Sequence, residues 1–202
     1  MKDAHDLLRK AKNYTITKEE FDYVVQRIKA STLDNEDPNL YTLIHILGAA
    51  SIGPPDGSDT EVPMDEILKC RKLVESFLHY SKDPMVSKIA LQVLCSYWGD
   101  TKDYIQEIKD FAKGVDWDFD EDVRMLAISE MGEQVRGTRD KQLLKILIQI
   151  FENPQENEII QECVYTALAR AGGQEWHDLL RDENKPNPSI MKKIYQMLTN
   201  EG

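Results

Sequence analysis

Three aspartates alternate with two aromatics in GVDWDFDEDVR, residues 114–124: Asp116, Trp117, Asp118, Phe119 and Asp120, with Glu121 and Asp122 directly behind. Carboxylates at every second position match the first ligands of an EF-hand calcium loop, which takes oxygens from positions 1, 3 and 5. That loop also needs glycine at position 6 and a bidentate glutamate at position 12. Glu121 and Ala127 stand there, so the calcium reading lacks both its turn and its strongest ligand. A second reading is structural. Asp120 would accept the first backbone N–H groups of a helix as its N-cap. Glu121 and Asp122 would then sit in the first turn, where the helix dipole favours anions, and Trp117 and Phe119 would fold back over the joint. A third reading is recognition, with Trp117 and Phe119 as aromatic anchors inside a charged rim.

Other chemistry-bearing residues are sparse. The histidines (His5, His45, His79, His177) are scattered, and His45 falls inside a helical pattern as a packed or solvent-facing residue. Cys70, Cys95 and Cys163 are odd in number, far apart and set in apolar helical patterns. That reads as buried thiols in a reducing compartment. No CxxC pair and no phosphate-cradling glycine loop occurs. No cysteine has a neighbouring base to make it a nucleophile. The expectation is a chain without catalytic residues, metal or cofactor.

Composition narrows the partner. The 202 residues carry a formal charge of −11, with 41% hydrophobic and 30% charged residues. This is a globular composition. Nucleic-acid phosphates would be repelled, because binding them needs Lys and Arg to displace counterions. A basic protein surface suits the charge, which would speed its encounter. The N-terminal MKDAHDLLRKAKNY has no apolar signal segment, and no run approaches the ~18 apolar residues of a membrane span. The expected setting is the cytoplasm, away from membranes, as a monomer.

The elements that must position these residues are helices. YIQEIKDFAKGV and FDYVVQRI place their apolar residues at helical spacing, and two-residue alternation is absent. Thr17 and Glu20 have the spacing of a capping box. The organising feature is a repeat. Asp83, Asp120 and Asn157 lie 37 residues apart and open the same pattern: Val86, Ala90, Leu94; then Val123, Ala127, Met131; then Ile160, Val164, Leu168. Weaker copies flank these at Asp37, Leu40, Ile44 and at Asn187, Ile190, Ile194. Each copy follows another amphipathic helix. A lone helix pair cannot bury its apolar stripe, whereas stacked pairs share one core.

The pattern Asp-Pro-x-Val with a small residue four positions later resembles the second helix of a HEAT repeat, over residues 18–200 or so, and DEDVRMLAISEMG is the closest copy. The resemblance implies a right-handed α-α superhelix, a solenoid of about five HEAT-like helix pairs. First helices (18–32, 65–80, 102–114, 139–152, 174–181) would line the convex side. Second helices (38–50, 84–98, 121–135, 158–171, 188–199) would line the concave side. It also implies a ladder between repeats through Asp120 and Arg124, here partial, because Ser87 and Gln161 replace the arginine in neighbouring copies. The expected organisation is one solenoid domain over 1–202. A capping helix (1–16) precedes pairs at 18–50, 64–99, 102–135, 139–172 and 174–200, with a mobile acidic loop at 51–63.

Two surfaces follow from that arrangement. The turns within pairs would emerge along one edge. They hold 14 acids, among them Asp34, Glu36, Asp116, Asp118, Asp122 and Glu156, against only Lys82 and Lys185. This concentrates the charge into an acidic ridge around Trp117 and Phe119. On the concave side Leu91, Ile128 and Tyr165 occupy equivalent positions. They either pack between successive second helices or form an exposed groove for a peptide or helix. The functional expectation is a non-catalytic protein-protein interaction module, an adaptor or an immunity- or antitoxin-like inhibitor that neutralises a basic protein. The alternative, by the same resemblance, is an enzyme similar to phycobilin lyases or alkylpurine DNA glycosylases.

Overall fold

Short polar side chains, Asp3, Thr17, Asp83, Asp140 and Asn157, cap five of the helices. The structure is a computed structural model that describes residues 2–31, 36–174 and 187–199. Those residues are all-helical, with no strand among them. Contacts divide the chain into two compact units, Met1–Asp100 with Trp117–Val123, and Thr101–Asp116 with Arg124–Gly202.

In the first unit, α1 (Ala4–Lys12) is capped by the Asp3 carboxylate, which accepts from the backbone N–H groups of His5 and Asp6. α2 (Lys18–Ala30) starts at the expected capping box: the Thr17 hydroxyl accepts from the Glu20 N–H, and the Glu20 carboxylate accepts from the Thr17 N–H. Both helices pack on α3 (Leu40–Ala50). Nine of its eleven residues are buried, because it has neighbours on several sides. The expected first helix at 65–80 is broken into α4 (Met64–Leu68) and α5 (Arg71–Glu75). Backbone bonds there tighten to three-residue spacing, Cys70 to Ile67, Phe77 to Val74 and Leu78 to Glu75. The stripe Ile67, Cys70, Val74, Phe77 still stays buried. α6 (Pro84–Gln92) is capped by Asp83 and has Pro84 at its first position. It runs on into a wider π turn at Val93–Tyr97, where the Trp98 N–H reaches back to the Val93 carbonyl at 2.9 Å.

The 51–63 loop is tied at its second half. Val62 is buried, and the Glu61 carboxylate accepts from the Lys18 backbone N–H at the start of α2. Asp56 accepts from the N–H and hydroxyl of Ser58.

The second unit takes α7 (Ile105–Ala112), most of α8 (Asp122–Thr138), α9 (Lys141–Phe151), α10 (Glu158–Ala171) and α11 (Pro188–Thr199). Asp140 and Asn157 cap α9 and α10, and α9, α10 and α11 pack against one another. The first helix expected at 174–181 lies, after Gln174, outside the described residues.

The apolar positions of the 37-residue pattern lie in the interior. All nine residues of its three strong copies are buried, each at 0–1% exposure. The flanking Leu40, Ile44, Ile190 and Ile194 are buried too. The chain is all-helical among the described residues, and its buried positions are compatible with a helical repeat.

Candidate functional site

Asp120 is not the cap of α8. The helix starts at Asp122, and Glu121 before it has φ 57°, the left-handed region that non-glycine residues adopt with strain. The Glu121 N–H donates to the Asp118 carbonyl at 3.1 Å, closing a tight turn over residues 118–121 that delays the helix. This turn decides where the acidic stretch points. Phe119 projects outward at 88% exposure. Asp120 is exposed beside it, Trp117 is half-buried and Asp118 is buried at 5%. Trp117 and Phe119 therefore do not share the role of covering the joint, since Phe119 covers nothing.

Within the first unit, other acids of the expected ridge are engaged. Asp122 pairs with Lys88 at 2.5 Å. Glu36 accepts from the Tyr80 hydroxyl at 3.1 Å and pairs with Lys82 at 3.1 Å. Burial, reinforced by Glu36, pushes the Tyr80 hydroxyl up to about 12. Asp83 is spent on its cap, and Asp34 lies outside the described residues. In the second unit Asp116 is exposed. Glu156 is enclosed instead: its two oxygens take the Arg124 guanidinium at 3.1 and 2.6 Å. The Arg124 Nε also donates to the Ala112 carbonyl at 3.1 Å. Arg124 thus binds the acid 32 residues ahead of it, where the HEAT resemblance implied a ladder through Asp120.

The concave-groove reading is corrected. Leu91 and Ile128 are fully buried and Tyr165 is 9% exposed. Tyr165 packs near the Phe151 ring at a centroid distance of 6.3 Å, and its hydroxyl accepts from the Asn187 N–H at 3.0 Å. These three residues belong to the core.

Two arrangements escaped sequence reasoning. One is a cavity flanked by Ser129, Glu133, Thr166 and Arg170. The other is a pair between His45 of α3 and Tyr97 of the π turn, whose Nε2 and hydroxyl lie 2.9 Å apart. Gly48 makes that pair possible, because a Cβ there would meet the Tyr97 ring at 3.0 Å and Val93 Cγ2 at 2.8 Å. Nothing in the spacing of residues 45 and 97 foretells the contact, since it depends on the π turn.

The His45 pair has a consequence for pH. Burial, aided by the Lys12 charge, holds the imidazole below its ordinary 6.5. The unfolded chain then takes up this proton first as pH falls, so the His45 contribution to stability is full above about 6.5 and is lost below it. Asp37 acts lower on the scale. Burial raises its carboxyl, but the Asn39 N–H and the Arg27 guanidinium outweigh burial and hold it below 3.8. Its contribution is therefore lost only as pH falls below that value. Denaturant titrations at about pH 7 and about pH 5.5 should show the native chain losing stability, with His45→Gln losing less. Equal losses in the two proteins would remove His45 as the source.

Comparisons with protein-family models, with curated proteins and with solved structures find no match. Among the described residues no helix is long and apolar enough to cross a membrane.

Proposed function

We propose that the chain is a non-catalytic helical-repeat module, its pairs stacked as a HEAT-like solenoid, that binds a basic protein and acts as an adaptor or an immunity- or antitoxin-like inhibitor. The observation that carries this reading is Phe119. A phenylalanine 88% exposed is held out by a strained, hydrogen-bonded turn, with the exposed carboxylate of Asp120 next to it. A large aromatic set among charges is the composition of a binding hot spot. The formal charge of −11 selects a basic surface with an apolar socket, because complementary fields steer encounter. Asp116 is a further exposed acid of the same sequence stretch.

The test is capture from the native source at low and high salt, followed by reconstitution with the purified partner. Phe119→Ser should weaken binding by about 30-fold or more, the loss expected of a hot-spot residue. Asp116→Asn with Asp120→Asn should slow association and flatten its salt dependence. A partner that is not basic, or affinity untouched by both variants, would overturn the reading.

A further inference from the structure

The second unit contains a cavity of about 240 Å³ between α8 and α10, lined by Ser129, Glu133, Cys163, Thr166, Ala167 and Arg170. It exists because the two helices nearly touch at one point and carry short side chains beside it. A Cβ on Gly132 would lie 2.8 Å from the Ala167 Cβ, so the backbones are as close there as they can come. Next to this contact the walls are the Ser129 and Thr166 hydroxyls, the Cys163 thiol and the Ala167 methyl group, none long enough to fill the gap.

One end is polar. The Arg170 guanidinium, on a side chain only 14% exposed, pairs with a Glu133 oxygen at 2.6 Å. Glu133 is 40% exposed, and its other oxygen lies 3.9 Å from the Arg136 guanidinium. The Glu133 carboxylate therefore sits between two cations and can keep Arg136 when another carboxylate takes Arg170. Exchange in the other sense is weaker. A cationic ligand would meet Glu133 at its solvated side, where charge attraction is screened. A guanidinium offers a carboxylate two parallel N–H donors in a planar fork, and the partial burial of Arg170 strengthens that pairing.

We propose that this cleft binds a small monocarboxylate with an apolar body, its carboxylate on Arg170 and its body against Ser129, Cys163, Thr166 and Ala167. At about 30 Å³ per water molecule the space holds on the order of eight to ten non-hydrogen atoms. Cys163 forms part of the wall and takes no part in chemistry. Its thiol donates to the Met125 carbonyl at 3.5 Å, and burial pushes it up to about 11, so it stays protonated and apolar. The site binds and does not react.

The probes are benzoate, benzamide and benzylammonium, of matched size, titrated into the full chain at fixed ionic strength while backbone and arginine side-chain amide resonances are followed. Benzoate should saturate with a Kd on the order of 1 mM, as a ligand of this size allows, and shift the Arg170 Nε–H signal. Benzamide and benzylammonium should each bind at least tenfold more weakly. Ser129→Leu fills the space and leaves the ion pair in place, and Arg170→Met removes the carboxylate's partner; each should weaken benzoate at least tenfold. If Arg170→Met does not fold, Ser129→Leu decides. The proposal fails if benzoate does not saturate, if benzamide or benzylammonium binds as tightly, or if benzoate binds Ser129→Leu as it binds the native chain. It is independent of the Phe119 reading, because neither variant touches that turn.

Discussion

Glu156→Ala is expected to lower the unfolding free energy by about 1–3 kcal/mol, the cost of removing acceptors from a buried donor group. Arg124 is held by both Glu156 oxygens and by the Ala112 carbonyl, with its side chain 11% exposed and that of Glu156 9%. Alanine deletes the two oxygens that Arg124 binds, on a side chain that water reaches poorly, and leaves the bond to the Ala112 carbonyl. Replacing both ends with apolar residues, Arg124→Met with Glu156→Leu, should recover much of the loss, since an ion pair in a dry site has already paid its desolvation. Denaturant unfolding of Arg124→Met, Glu156→Leu and the double variant gives the coupling energy directly. A loss below about 1 kcal/mol for Glu156→Ala would mean that the pair behaves as a surface pair.

Two glycines of α8 should respond in opposite directions. Gly132→Val is expected to destabilise by on the order of 3 kcal/mol, at the upper end for overpacking. A Cβ at 132 lies 2.8 Å from the Ala167 Cβ and 3.0 Å from both its Cα and its carbonyl oxygen. Two of those atoms are backbone, so α10 must move as a unit. At Gly137 a Cβ would meet nothing within 4 Å. Gly137→Ala should stabilise by about 0.5–1 kcal/mol through helix propensity alone. Thermal unfolding of both variants checks the pair. A neutral Gly132→Val would show that α8 and α10 are not in contact there, and the cavity beside them would lose its cause.

Much of the fold is legible in the sequence for a physical reason. Helix positions follow from apolar spacing, and Val86, Val123 and Ile160, which stand 37 residues apart at the same place in the sequence pattern, are all buried. Caps are equally local: Thr17, Asp83 and Asn157 each accept the N–H groups that their sequence context predicts. What fails is what depends on backbone geometry between elements. Asp120 aligns with Asp83 and Asn157 yet is no cap, because Glu121 turns left-handed. Residues 64–80 contain neither proline nor glycine, yet they form two short helices, since tightened hydrogen bonding carries no compositional mark. The candidate site divides along the same line. The acidic, aromatic character of 116–122 can be read from letters. That Phe119 is outside and Asp118 inside cannot, because one residue of turn exchanges them. Arg124 with Glu156, and Glu133 with Arg170, are pairings across 32 and 37 residues that only the packed helices bring together.

The cysteines give the molecule an internal clock. Cys70 and Cys95 are buried in the first unit, and Cys163 sits in the second with its thiol against the Met125 carbonyl. Only a thiol released to solvent as thiolate is alkylated, so the modification rates of the buried Cys70 and Cys95 count how often the first unit opens, while the half-buried Cys163 reports access to the cleft it lines. Two timers in the first unit make it possible to ask whether that unit opens as a whole or piece by piece, with no engineered label.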